Sequence, residues 1–564
     1  MLPTLRDRYS VPPDFSQLAC DVPAFAPFTR STGKGGSTID WKDAAAVRSL
    51  TSALLERDFQ LKVALPEDRL CPMVPSRLEY VLFVLRLVLA TFDAPSASST
   101  LPSLVGLDIG TGASCIYPLL AQRTYSRTSS SSSTRLKMLA TDIDPRSLSY
   151  ARRNVAQNGL EKEIEVFEVV QEDKVFPEKV INNAERIDFT MCNPPFYASE
   201  DEISSSLTAK ELDPFAVCTG ASNELLTQGG EVAFVSRMIE ESLELGKDKI
   251  RWFTSLLGKF SSIAPLVELL KSQNIANYAV TPLPPQGQTT RWLIAWSLQD
   301  YRFPVELLYP NPLDLNPLEP PSSALNSGAS TTRFLPPSLL PSTYHLPASV
   351  SSSSPALSLV DVRTILDDML RDLAGGRGHD GGKEDHEKAL SWTWRRREKE
   401  EASIEEEVVV RARRNVWSRS ARRAAAGKGK GKEKATEPAL MSVDAGSRGG
   451  EPGEGGLLLE MRLLVRPSPA ASAASENAED EQPPPPPPQP LHILALWTRG
   501  TDVDRAAYVG LWGYLVRKIG EAVRAKCQGE HGGEAGVVRE GATRKVEEAE
   551  DPRGKRRKIE GDAQ

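Results

Sequence analysis

The chain reads as a doubly wound α/β protein followed by a smaller α+β unit, and three observations predict this. Over roughly the first 300 residues, short apolar runs ending in turns alternate with helical stretches, the rhythm of a parallel sheet with crossover helices. A glycine-rich turn, Asp108-Ile-Gly-Thr-Gly112, joins the first such run to a helix. A later run, Phe189–Cys192, stops abruptly at Asn193-Pro-Pro-Phe196, where neither proline can donate a backbone hydrogen bond.

Composition bounds the function classes. A chain of 564 residues is long enough for two or three domains, but 43 prolines, 39 glycines and several serine runs place much of it outside any core. Net charge is −7, so any nucleic-acid contact rests on local basic clusters. Six cysteines without a CxxC spacing read as free thiols of a reducing compartment. With no signal-peptide core and no bilayer-length apolar stretch, a soluble intracellular protein without membrane contact is expected. All five histidines lie beyond residue 344, which removes zinc-deaminase, histidine-triad and HExxH chemistry from the earlier region. No metal is expected.

In chain order, residues 1–30 are proline-dotted and carry Arg6, Arg8 and Arg30, either a loosely docked tail or a groove-facing arm. Helical spacing follows over Asp43–Phe59, with Asp40 as the candidate N-cap. Pro75 opens a second helix, Ser76–Phe92, apolar nearly all round and therefore buried. Arg77 at its start needs an anionic partner, either a structural carboxylate or one belonging to a ligand.

The run from Leu104 then meets the glycine turn, where Gly110 and Gly112 let backbone approach a ligand and the next helix offers its amino-terminal dipole. Asp108 sits just before this turn, placed to orient a ligand amine or to cap the turn. Leu136–Asp142 is the second strand. A carboxylate at its end, Asp142, lies where a doubly wound sheet binds ribose hydroxyls. Helix Pro145–Asn158 and strand Ile164–Val170 follow, with Asp173 beyond them placed to meet a base. The fourth strand ends in Asn193, an amide and its neighbouring carbonyls beside the flat ring of Phe196. Such a group can grip a planar amine such as adenine, although alone it equally reads as a strand-ending turn. Four strand ends converging on one edge favour a nucleotide-type ligand.

Beyond it, residues 198–222 read as a mobile loop over the site, Gly230–Phe234 as a strand and Glu240–Leu257 as a helix. Tyr278–Thr281 and Arg291–Ser297 read as closing strands, so that this domain spans residues 1–302. Residues 303–356 form a Pro/Ser-rich linker. In 357–530, a helix at Val360–Leu373, strands at Leu457–Val465 and Leu491–Trp497, and a helix at Asp502–Arg524 form an accessory domain broken by disordered insertions. The last helix carries an apolar stripe of Val509, Trp512, Leu515, Val516, Ile519 and Val523. Trp392–Lys434 is a basic, tryptophan-dotted tract, either solvated or phosphate-contacting. The tail, 531–564, is disordered and holds Arg553-Gly-Lys-Arg-Arg-Lys558, a candidate nuclear localisation signal.

Several stretches together resemble the RNA adenine-N6 methyltransferases that act on U6 small nuclear RNA, with their bacterial ribosomal large-subunit RNA methyltransferase F relatives. They are Pro12-Pro-Asp-Phe15, Ala46-Val-Arg48, Val74-Pro-Ser-Arg-Leu78, Leu107-Asp-Ile-Gly-Thr-Gly-Ala-Ser-Cys-Ile-Tyr-Pro118, Met191-Cys-Asn-Pro-Pro-Phe196, Leu257-Gly-Lys259, Ala264-Pro-Leu266 and Gln288-Thr-Thr-Arg-Trp292. The likeness spans about residues 1–300. It implies a Rossmann-like class I methyltransferase sheet with an amino-terminal helical extension, S-adenosylmethionine as cofactor and a structured RNA as partner. It further implies cofactor contacts at Arg77, Asp108, Gly110, Gly112, Asp142, Asp173 and Asn193 and catalysis at Asn193, Pro194, Pro195 and Phe196, while the amino-terminal basic residues Arg6, Arg8, Arg30 and Lys42 are read as RNA contacts. Two positions differ from the animal relatives, Asp142 for glutamate and Asp173 for threonine. The accessory domain resembles the family's degenerate RNA-binding domain, and the nucleus, with the cytoplasm second, is the expected compartment. The rival readings are a protein glutamine N5-methyltransferase, which shares an Asn-Pro-Pro-aromatic site, and a non-catalytic RNA-binding regulator. Oligomeric state is not legible.

Overall fold

The computed structural model describes residues 9, 13–32, 36–92, 101–128, 136–170, 173–199, 202, 221–284, 290–308, 331–336, 339, 342–346, 358–374, 390–398, 404–413, 416–418, 458–467, 491–499 and 505–529. Helix α1 (Phe15–Asp21) and a ribbon of β1 (Thr29–Ser31) and β2 (Ser37–Ile39) lead into α2 (Ala44–Phe59) and α3 (Val74–Ala90). The sheet strands follow: β3 (Leu104–Ile109), β4 (Leu136–Asp142), β5 (Ile164–Glu168), β6 (Ile187–Cys192), β7 (Ile250–Leu257), β8 (Tyr278–Pro282) and β9 (Trp292–Trp296). Between them run α4 (Ile116–Thr128), α5 (Pro145–Gln157), α6 (Gly230–Leu245) and α7 (Ile263–Ser272).

Their order across the sheet is β5-β4-β3-β6-β7-β9-β8. The first five are parallel, and β9 runs antiparallel between β7 and β8. The winding therefore reverses between β3 and β6, where such sheets open a ligand crevice. Register sets the crevice floor. Ile109 pairs with Cys192 and Ile109 with Thr141, so the glycine turn, Asp142 and Asn193 all leave the sheet at one edge. Apolar clusters cover both faces, as a parallel sheet requires.

Three local expectations are corrected. The N-cap of α2 is Asp43, whose carboxylate accepts from Ala45 N (2.9 Å), whereas Asp40 accepts from Lys42 N (3.0 Å) and pairs with Arg30 (3.1 Å). Gly230–Phe234 is not a strand but the first turn of α6, and the expected helix Glu240–Leu257 breaks at Gly246, whose φ of 77° ends α6. Its second part, Ile250–Leu257, is a central strand with every residue buried. Arg251 within it mimicked a solvated helical position. The folded chain instead packs its guanidinium on Phe92 (4.1 Å) and Tyr301 (4.7 Å), near the Asp188 carboxylate (3.7 Å).

The second unit is a five-stranded antiparallel sheet, β10-β14-β13-β12-β11. It comprises β10 (Ser342–His345), β11 (Leu390–Glu398), β12 (Ile404–Ala412), β13 (Leu459–Pro467) and β14 (Leu491–Arg499), covered by α8 (Leu359–Leu373) and α9 (Arg505–Gly529). The expected linker is thus partly structured: Val305–Leu308 forms one helical turn, and β10 is an edge of this sheet. Part of the basic tract forms two strands, in which Arg395, Arg396 and Arg397 stand opposite Glu407, Glu406 and Glu405. The indole N–H groups of Trp392 and Trp394 both donate to Asp367 (2.7 and 3.0 Å), and Trp417 is buried. In α9 the buried face is Tyr508, Leu511, Leu515, Ile519 and Val523, while Val509 is 56% exposed, so the stripe is rotated from the expected one. Leu464, Leu494 and Leu496 share an apolar cluster with Phe303 and Val305, and Arg302 N donates to Thr498 O (3.0 Å). Position 302 is therefore a junction between packed units, where sequence placed the start of a linker.

A Cβ on Gly106 of β3 would lie 2.4 Å from Phe189 Cζ and 2.6 Å from Met138 Sδ, with β-sheet on both sides. Gly106→Ala is expected to destabilise the fold by about 1–3 kcal/mol, read as a lowered urea midpoint at unchanged slope.

Candidate active site

Strand β6 ends unusually. It pairs with β7 through Ile187–Ile250 and Phe189–Trp252, and with β3 as far as Ile109–Cys192. The buried hydroxyl of Tyr80, from α3, accepts from Cys192 N (3.1 Å) and lies 2.7 Å from Thr254 Oγ1, which in turn donates to Thr190 O (2.5 Å). The next residue is Asn193, whose Oδ1 is buried without a hydrogen-bond partner. Pro194 is buried and Pro195 and Phe196 are half-buried. Tyr197 N then donates to Leu225 O (2.9 Å), and Thr227 N to Tyr197 O (3.0 Å), which moors the segment against the chain that re-enters after residue 220.

On the other side of the switch, Gly110 (φ 70°) and Gly112 (φ 65°) turn the chain out of β3, and a side chain at Gly110 would meet nothing within 4 Å. Asp142 accepts from Gly112 N (2.8 Å) and Asp144 N (2.9 Å), tying the second strand end to this turn. Asp144 caps α5 and pairs with Arg69 (2.8 Å). Asp108 is fully buried and neither oxygen has a hydrogen-bond partner. Thr111's hydroxyl is near enough to moderate its ionisation without reaching bonding geometry. Burial, reinforced by the Asp142 charge, pushes the Asp108 carboxyl up to about 7. Burial likewise raises Asp142.

Arg77 lies 5.8 Å from the Tyr117 ring centroid. Arg291 packs on the Phe196 ring (5.4 Å), and burial followed by the charge of Arg77 lowers its pKa, so two cations converge on this side. Asp173 instead accepts from Val170 N (3.1 Å) and Lys179 Nζ (3.2 Å), contacts local to the turn after β5. Arg30 and Lys42 are exposed beside Asp40, at the base of the ribbon. Arg6 and Arg8, most of loop 198–222 and the 553–558 cluster lie outside the described residues.

Sequence reasoning missed Tyr80, Glu231 and Glu224. Glu224 accepts from Leu70 N and Ala221 N (both 2.8 Å), and its other oxygen stands 3.7 Å from where a Cβ on Gly112 would be. An acid next to a Gly-Gly pair was the only signal for Glu231, and none marked the other two. Among the described residues no cluster of three His, Cys, Asp or Glu could hold a metal.

A glycine turn, unpartnered buried acceptors and an Asn-Pro-Pro-Phe segment around a topological switch are the features of a nucleotide-cofactor enzyme. The family model described as RNA methyltransferase matches residues 3–300, and the chain belongs to that family. It is 38% identical over 295 residues to the U6 small nuclear RNA (adenine-(43)-N(6))-methyltransferase of Schizosaccharomyces pombe, covering 52% of this chain and 71% of that protein. To human RNA N(6)-adenosine-methyltransferase METTL16 it is 39% identical over 298 residues, 52% of this chain but 50% of that protein. The chain thus spans only about half the length of this vertebrate relative. Among solved structures it is similar to the hMettl16 catalytic domain in complex with MAT2A 3′UTR hairpin 1 (37% identity, TM-score 0.46, 53% of this chain, 96% of that one). It is also similar to the N-terminal domain of human METTL16 in complex with SAH (36%, 0.42, 52% and 98%).

Because the folded carboxyl of Asp108 titrates above its unfolded value, its contribution to stability is full below pH ~4 and is lost as pH rises through about 7. Urea melts of wild type and Asp108→Asn across this range should show wild type losing stability relative to the variant as pH rises. A constant difference would remove Asp108 from the titrating set.

Proposed function

We propose that the chain transfers the methyl group of S-adenosylmethionine to N6 of an unpaired adenosine in a structured RNA, U6 small nuclear RNA or a similarly folded hairpin. The observation that carries this is the orphaned Oδ1 of Asn193 beside the half-buried ring of Phe196. A buried acceptor without a partner costs stability, and its retention at a strand end in the switch crevice is explained by a ligand donor.

The residues present fit the cofactor. Asp142 is placed for ribose hydroxyls, Arg77 for a carboxylate, and the unpartnered Asp108 beside the open Gly110–Gly112 turn for the cationic end. Asp173, turned to Val170 and Lys179, has the weaker claim to a base contact. When bound, the cofactor supplies an electrophilic methyl group. The chain's part is to prepare the amine. Asn193 Oδ1 and the Pro194 carbonyl each accept one N6 hydrogen, which draws the nitrogen lone pair out of conjugation with the ring. Phe196 stacks the base, worth about 1–3 kcal/mol, and catalysis is positioning and electrostatics without a metal. Stacking requires the adenine to be unpaired or extruded.

The relatives' adenine-N6 specificity favours this reading over glutamine methylation, and the complete set of acceptors favours it over a non-catalytic regulator. Arg30 and Lys42 belong to an RNA groove in this reading. Any RNA contact of the accessory unit rests on residues other than Trp392, Trp394 and Trp417, which are committed to its own packing. The nuclear address is the basic cluster at 553–558.

Incubating purified protein with labelled cofactor and total nuclear RNA, then mapping the label, tests the reaction; label on protein or no label would reject it. Asn193→Ala should abolish transfer while RNA affinity stays within a few fold, because phosphate contacts elsewhere dominate affinity. Asp142→Ala should weaken cofactor binding by about 1.5–3 kcal/mol in calorimetry, the scale of a hydrogen bond to a charged group.

A further inference from the structure

Phe196 is held by the turn after β7, the first turn of α6 and Arg291. Glu231, in the first turn of α6, is 1% exposed and accepts from Gly258 N (2.7 Å), Lys259 N (3.0 Å) and Ser262 Oγ (2.5 Å). This carboxylate pins the backbone that leaves β7. The pinned Gly258 lies so close to Phe196 that a Cβ there would stand 2.7 Å from Cδ1 and 3.1 Å from Cε1 of the ring. The Arg291 guanidinium is 5.4 Å from the ring centroid. Gly230 completes the seat, since a Cβ there would be 3.6 Å from Phe196 O and 3.4 Å from Ala198 N.

We propose that Glu231 and Gly258 form a shelf that sets the plane and depth of the Phe196 ring, making Glu231 a positioning residue and Gly258 an obligatory gap. This deepens the reading of Phe196 as the stacking surface and rests on it. Two buried hydrogen bonds from successive backbone N–H groups to one carboxylate leave the turn after β7 little freedom, so the ring cannot retreat from the base. A side chain on Gly258 would push the ring toward the base site, where a displacement on the scale of 1 Å costs catalysis heavily.

The test uses full-length Gly258→Ala, Phe196→Ala and their double variant, with turnover on the mapped RNA, SAH affinity by calorimetry and melting temperature as readouts. Gly258→Ala is expected to lower kcat by about tenfold to a hundredfold with SAH affinity within about twofold. It should also lower the melting temperature. Removing the ring relieves the clash, so the double variant should melt with Phe196→Ala and share its residual activity. Glu231→Gln, which keeps one acceptor, should lower kcat with KM for RNA unchanged, and Glu231→Ala should lower it further. Wild-type turnover in Gly258→Ala, or a double variant that melts or turns over well below Phe196→Ala, would overturn the shelf. If Gly258→Ala does not fold, folding of the double variant supports the shelf and its failure overturns it. Wild-type turnover in Phe196→Ala would instead reject the stacking reading, while the melting comparison still judges the shelf.

Discussion

The hydrogen bond from Cys192 N to the Tyr80 hydroxyl is the contact on which the rest of the site depends. Strand β6 leaves β7 after Phe189 while remaining paired with β3 as far as Cys192. An unsatisfied buried N–H costs about 1–3 kcal/mol. Tyr80 supplies the acceptor from α3, and Thr254 and Thr190 close the network from β7 and β6. The strand end is therefore both free of β7 and fixed in place, and Asn193, the next residue, inherits that position.

The opposite wall is built on the contrary principle. At β3 and β4 the polar groups are left short of partners: Asp108 has none, and Asp142 holds two amides while remaining buried. Packing three acids, Asp108, Asp142 and Glu224, near one glycine turn raises the pKa of each through burial first and, for Asp108 and Glu224, the charge of Asp142 as well. Such a site is unfavourable empty and complementary to a ligand carrying hydroxyls and positive charge. Arg77 lies near the Tyr117 ring and Arg291, whose pKa burial lowers, near Phe196.

The accessory sheet shares this economy. Its arginine-rich strand lies in register with a glutamate-rich strand, and Trp392 and Trp394 donate to Asp367. Arg462 pairs with Glu407 and Arg363 with Glu406, and leucines of β13 and β14 dock the sheet on the segment around Phe303.

What the chain determined by itself was the periodic and the local. The alternation of apolar runs and helices located β3, β4, β5 and β6, because a strand buried on both faces reads as a continuous apolar run bounded by turn residues. Gly110, Gly112, Asp142 and Asn193 were legible because glycine and proline carry their backbone consequences wherever they stand. Only the tertiary structure decided the rest. Ile250–Leu257 became a strand, despite Arg251, because Phe92, Tyr301 and Asp188 from three distant segments offer that guanidinium a partnered place. Trp392 and Trp394 turned inward because Asp367, on another element, accepts both indoles. Tyr80, Glu224 and Glu231 entered the site through contacts spanning 112, 154 and 27 residues of chain. No local pattern records such pairings, since they exist only after the sheet has brought its edges together.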